Sequence, residues 1–270
     1  MEQKQELREK LRVKEYWTTK EIRVVIKEEY GIEYSYEQIS RIVRHFGMRL
    51  QKPYPQDYRR PEEAQEILEN QLRTTFELLL KEGIEPEEIA IGMMDESSPQ
   101  TKANTVRVWS FQKVRIKKNT TKIRANTLGY YTIKGNDAVV HLNNSKAPEI
   151  CRALEEIKQA NQGYRAVIVI LDNFNSHKSK QVEHRARELG IYLVRLPKYS
   201  PDLNPIEIIW RAIKRVISLE FVENKEGLRD LIEKSFREFS KKLSYARWWI
   251  SRFFNPVWNF YTQNYGKLCS

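Results

Sequence analysis

Cysteine is almost absent from this chain of 270 residues, where Cys151 and Cys269 stand alone and far apart. Two such residues build neither a disulfide framework nor a zinc cluster, and they suit a reducing, intracellular setting. Long apolar runs are missing too. No stretch approaches the roughly 18 residues needed to cross a bilayer, so no membrane association is expected. The opening MEQKQELREKLRVK is charged throughout and lacks the apolar centre of a signal peptide. Acids are missing from one long segment: between Ser97 and Asn136 there are nine Lys or Arg and no Asp or Glu. Internal repeats and low-complexity tracts are also lacking. What is present is enough apolar sequence for a core, 40% of residues, and a net charge of +11. Such a balance attracts polyanions without choosing among them. A cytoplasmic or nucleoid-associated protein is expected.

Residues 1–47 read as three short helices. The first runs from Glu2 to about Lys14, with Leu7 and Leu11 on one stripe. The second opens on Thr18-Thr19-Lys20-Glu21 and the third on Ser35-Tyr36-Glu37-Gln38, each a capping box in which side chain and end amides satisfy one another. The turn near Gly31 is short, which is the helix-turn-helix layout. On the third helix Arg41, Arg44 and His45 lie off the apolar stripe, free for a DNA groove or its phosphates. Residues 48–61 are basic, contain proline and show no period, so they read as a linker.

From residue 62 a helix to about Glu82 precedes a different pattern. Strands are predicted up to Asp95, over Val106–Phe111, Ile123–Ile133 and Ala138–Leu142. A helix from Pro148, the unbroken apolar run Ala166–Leu171, a helix from about Lys178, a strand over Ile191–Leu196 and a helix over Pro205–Leu219 follow. A run as apolar as Ala166–Leu171 suits a strand buried on both faces. The order predicts an α/β domain over 62–220, a mixed sheet flanked by helices. Residues 221–270 read as a helical, aromatic extension.

Three acids occupy comparable places. Asp95 closes the first strand, Asp172 the apolar strand, and Glu207 sits in the first turn of a helix. Open α/β sheets set their sites beyond the carboxyl ends of strands. Like charges 4 Å apart repel by ~4 kcal/mol at an effective dielectric of 20, so protons or cations must compensate. Hard oxygen ligands suit Mg²⁺ or Mn²⁺. Glu207 also fits a helix start with Asn204 as cap, Pro205 at the first helical position and Glu207 three after the cap.

Val169–His177, reading VILDNFNSH, and Leu196–Trp210, reading LPKYSPDLNPIEIIW, resemble the signature of the Tc1/mariner superfamily of DDE transposases, above all its IS630-like branch. The 34 residues between Asp172 and Glu207 match the family spacing. Asp95-Glu96-Ser97 and Val108-Trp109-Ser110 resemble the family's first catalytic strand and the next. The likeness spans about residues 15 to 220. It implies a ribonuclease-H-like fold, with Asp95, Asp172 and Glu207 as catalytic residues and ligands of two Mg²⁺ or Mn²⁺ ions. It implies cut-and-paste transposition at TA targets, with transposon terminal inverted repeats and target DNA as double-stranded partners and a homodimer as the acting form. Asn173, His177 and Asn204 match motif positions beside the site. Relatives carry two helix-turn-helix units, of which one is evident, and a truncated copy is one reading.

Lys113, Arg115, Lys117, Lys118, Lys122 and Arg124 from the acid-free segment, with Arg211 and Lys214 after Glu207, form the expected DNA track. Lysines protecting an edge strand would look alike. Two other functions stay open: another ribonuclease-H-like nuclease, and a domesticated protein that only binds DNA.

Overall fold

The computed structural model describes residues 2–53, 55–102 and 106–268; Cys269 lies outside them. The chain divides into two compact units, Met1–Pro55 and Gln56–Ser270. The division falls inside the basic 48–61 stretch.

The first unit holds α1 (Glu2–Arg12), α2 (Thr19–Tyr30) and α3 (Tyr36–His45). Both capping boxes form, Thr18 with Glu21 and Ser35 with Gln38. Gly31 ends α2 at φ 67°, a left-handed position that costs glycine little. Leu7, Leu11, Ile22, Ile26 and Ile39 make its small core. Trp17 closes that core from the side and donates its indole N–H to the Leu11 carbonyl at 2.8 Å.

The second unit begins with α4 (Ala64–Lys81) and continues through β1 (Ile89–Ser97), β2 (Thr127–Lys134), β3 (Ala138–His141), α5 (Ala147–Ala160), β4 (Ala166–Leu171), α6 (Lys180–Glu188), β5 (Ile191–Arg195) and α7 (Ile206–Leu219). One sheet runs β3-β2-β1-β4-β5. β1 is antiparallel to β2 and parallel to β4, and β4 is parallel to β5. This is the mixed, helix-flanked sheet expected.

Alternation along the two central strands sorts the core into two layers. Ile89, Ile91 and Met93 of β1 and Ala166, Ile168 and Ile170 of β4 face α4 and α7. Ala90, Met94, Val167, Val169 and Leu171 face α5 and α6. Because successive side chains point to opposite faces, Asp95 and Asp172 follow the first set and Glu96 the second.

Two expectations are corrected. Val106–Phe111 is not a strand. β2 occupies the edge of β1 along Ile91–Ser97, and between Gln100 and Arg124 a single antiparallel bridge joins the described parts of the excursion. With no strand to pair with, Val108, Trp109 and Phe111 are left exposed. The lysines of this segment therefore protect no edge strand. The second correction concerns Asn204. It does not cap α7, whose preceding residue is Pro205 with no side-chain cap. The Asn204 amide is buried and turned toward β1, donating to the Met94 carbonyl at 3.4 Å.

The aromatic extension packs on the second unit's own core. After α8 (Lys225–Ser240) come α9 (Arg247–Trp249), a π-helical turn Ile250–Phe254 and α10 (Asn255–Leu268). Trp249, Phe253 and Tyr261 are fully buried. Tyr261 stands edge-on to Phe76 of α4, centroids 5.3 Å apart, and donates its hydroxyl to the Ile84 carbonyl. No helix among the described residues is long and apolar enough to cross a membrane.

Candidate active site

A cleft of about 480 Å³ opens at the carboxyl ends of β1 and β4. Asp95, Asp172 and Glu207 all line it, with Asn173, Lys178, Tyr199 and Asn204. The parallel register pairs Met93 with Ile170, so two residues on, Asp95 and Asp172 leave neighbouring strands on the same face. β1 runs past Asp95 to Ser97, whereas β4 stops one residue before Asp172. α7 brings Glu207 to that face by packing Ile206, Ile209, Trp210 and Ile213 on the layer below.

One missing side chain lets α7 come close. Gly129 on β2 is the cross-strand partner of Asp95. A Cβ there would overlap the Phe236 ring and lie 2.9 Å from Trp210 Cζ2. Trp210 is one turn along α7 from Glu207, so the bare position on β2 sets the depth of that helix.

The electrostatics are unbalanced. Burial, then Glu207, then Asp172 push the Asp95 carboxyl up to about 8, against a smaller opposing pull from the Glu96 amide and His177. Asp172 shifts the other way. Burial works against its charge, but the hydrogen bond and charge of His177 and the Phe174 N–H outweigh it, and its pKa is lowered. Among the described residues, no three His, Cys, Asp or Glu side chains stand close enough to hold a metal ion as they are. Mutual repulsion and the engagement of Asp172 by His177 both act against convergence.

His177 is 2% exposed, in the short 3-10 turn Asn175–Lys178 that precedes α6. Its Nδ1 is 2.7 Å from Asp172 Oδ1 and its Nε2 is 3.1 Å from Glu96 Oε1. Burial lowers the imidazole's pKa, but the two carboxylate partners outweigh it and raise it to about 9. This is neither a capping nor a solvated histidine. Glu96, which sequence reasoning quoted only inside a motif, is thus part of the site; its place beside Asp95 was the available signal. Asn173 donates its amide to the Leu196 carbonyl and ties the end of β4 to the loop that leads to Glu207.

The basic residues sort into two sets. Arg41, Arg44 and His45 are exposed on α3, as are Lys113, Arg115, Lys117, Lys122, Arg124 and Arg211 in the second unit, while Lys214 is half-buried. Lys118 is used internally. Its Nζ donates to the carbonyls of Ile217 at 2.5 Å and Glu220 at 3.1 Å, closing the C-terminal end of α7.

The sequence model of the DDE superfamily endonucleases matches residues 90–229, which takes in all three acids. The chain belongs to the DDE superfamily of endonucleases. The matched span holds every residue that lines the cleft, so the cleft of this endonuclease lies within the family's shared domain. A winged helix-turn-helix model matches residues 13–71. Among solved structures, the endonuclease is similar to the Mos1 mariner paired end complex with Mn, at 16% identity over 98% of this chain and 79% of that one, TM-score 0.62. It is similar to a pre-cleavage Mos1 transpososome at 15% identity over 97% and 78%, TM-score 0.61. The Mos1 strand transfer complex follows at 16% identity over 97% and 78%, TM-score 0.58. At such identities the likeness is one of fold. No curated protein matches the chain.

Proposed function

We propose that this DDE endonuclease is a cut-and-paste DNA transposase of the Tc1/mariner type, which cleaves transposon ends and joins them to TA targets. The observation that carries the reading is Asp95, whose carboxyl is desolvated and shares one cleft with Asp172 and Glu207. An all-oxygen set of this kind fits Mg²⁺ or Mn²⁺. Asp95, Asp172 and Glu207 would hold two ions, which when bound would activate the attacking hydroxyl and stabilise the leaving oxygen of a phosphodiester.

The rest is work for the chain's own groups. Arg41, Arg44 and His45 on α3 read or grip the transposon end. Lys113, Arg115, Lys117, Lys122, Arg124 and Arg211 neutralise phosphates of the bound duplex. Solved structures named for paired end and strand transfer complexes share the fold, and two copies of this chain acting on paired ends is the matching assembly.

The test is a cleavage and joining assay with Mn²⁺, a supercoiled target plasmid and duplexes carrying the inverted repeats that flank the gene. Wild type is expected to nick and join; Asp172→Asn is expected to lose both and to keep its affinity for the duplex. Hydrolysis without joining would make it a nuclease of another kind. Binding without either reaction would leave a DNA-binding protein.

A further inference from the structure

Glu96 leaves β1 on the face opposite to Asp95, yet it reaches the same cleft through His177. The imidazole passes around the end of the sheet, with Nδ1 on Asp172 and Nε2 on Glu96. Glu96 is itself held at its other oxygen, where the Ser145 hydroxyl, from the segment before α5, donates to Oε2 at 2.6 Å. Phe174 stands edge-on to the imidazole, centroids 6.0 Å apart. Both donors that reach Asp172, the imidazole and the Phe174 N–H at 3.1 Å, take Oδ1. Oδ2 has no hydrogen-bond donor among the described residues.

A histidine held at one nitrogen can swing about its ring bond; one held at both cannot. Its second anchor therefore decides how firmly the first partner is oriented. We infer that Glu96 is a positioning residue that acts through His177 on Asp172, fixing Oδ1 and presenting Oδ2 to a divalent ion. The inference rests on the reading of Asp172 as a metal ligand. It deepens that reading by adding a fourth carboxylate that never touches the ion. Outer partners of this kind commonly change metal affinity by about 10- to 100-fold when removed.

The experiment is a Mn²⁺ titration of the full chain, followed by loss of the free-ion paramagnetic resonance signal, for wild type and variants, with melting in chelator as a control for folding. Glu96→Ala is expected to raise the Mn²⁺ midpoint about tenfold. Glu96→Gln retains an acceptor for the imidazole N–H and is expected to stay within about twofold of wild type. Asp172→Asn is expected to abolish saturation. An unchanged midpoint in Glu96→Ala, with binding lost in Asp172→Asn, would overturn the positioning role and leave the ligand assignment standing. Undiminished binding by Asp172→Asn, or none by wild type, would overturn the ligand assignment and the inference with it. Should Glu96→Ala fail to fold, Ser145→Ala frees one Glu96 oxygen only. A rise of a few-fold is then expected, and an unchanged midpoint would overturn the inference.

Discussion

At the scale of single residues, Asp95 and His177 are perturbed in the same direction for different reasons. Asp95 rises to about 8 because burial and two neighbouring acids penalise its charge; His177 rises to about 9 because two carboxylates hold its proton. For both, the folded pKa exceeds the unfolded one. Each contribution to stability is therefore full below the unfolded value and is lost as pH climbs through the folded value. Without metal, the Asp95 contribution should fade between about pH 4 and pH 8. Asp95→Asn, which cannot ionise, should then melt higher relative to wild type at pH 8.5 than at pH 4 when both are held in chelator. An equal difference at the two pH values would mean that Asp95 is an ordinary solvated acid.

Among elements, α7 matters most, because it carries Glu207 and its depth is set by packing. Gly129→Ala puts a methyl group into the Phe236 and Trp210 rings, and overpacking of this kind costs about 1–3 kcal/mol. Denaturant unfolding should show that loss, and cleavage should fall further than stability alone explains, because Glu207 moves with the helix. β4 was legible in advance, since an unbroken apolar run suits a strand buried on both faces, and Asp172 is the residue that follows it. The capping boxes were legible because their partners lie three residues apart. Val106–Phe111 misled because apolar alternation describes a strand's faces and says nothing about whether a neighbouring edge is free. Asn204 misled for a related reason: a local cap competed with the Met94 carbonyl 110 residues away, and the distant partner won. The Glu96–His177 contact spans 81 residues, and only the place of Glu96 beside Asp95 and of His177 in the Asp172 motif hinted at it.

For the molecule as a whole, charge is the main lever. If the acid-free excursion lies along DNA, Lys113→Ala and Arg115→Ala should each lower affinity for duplexes of any sequence and reduce the salt dependence of binding by up to about one phosphate. Lys118→Ala should leave that slope alone. It should instead cost about 0.3–1 kcal/mol of stability by removing the cation at the end of α7. A salt slope that changes equally for all three would place Lys118 on the DNA and assign its carbonyl contacts a lesser part.

The contact of Tyr261 with Phe76 and the Ile84 carbonyl also sets an order in time. A ribosome releases the three-helix unit early, and that unit has a core of its own. The side of α4 that carries Phe76 stays open until α10 has emerged, well after the strands of the sheet. Domains generally fold as units, the N-terminal one first, so each newly made molecule acquires its helix-turn-helix before a finished cleft. A nascent chain halted before residue 255 would leave the aromatic layer around Phe76 open, making it a substrate for chaperones or proteases and not a half-active nuclease.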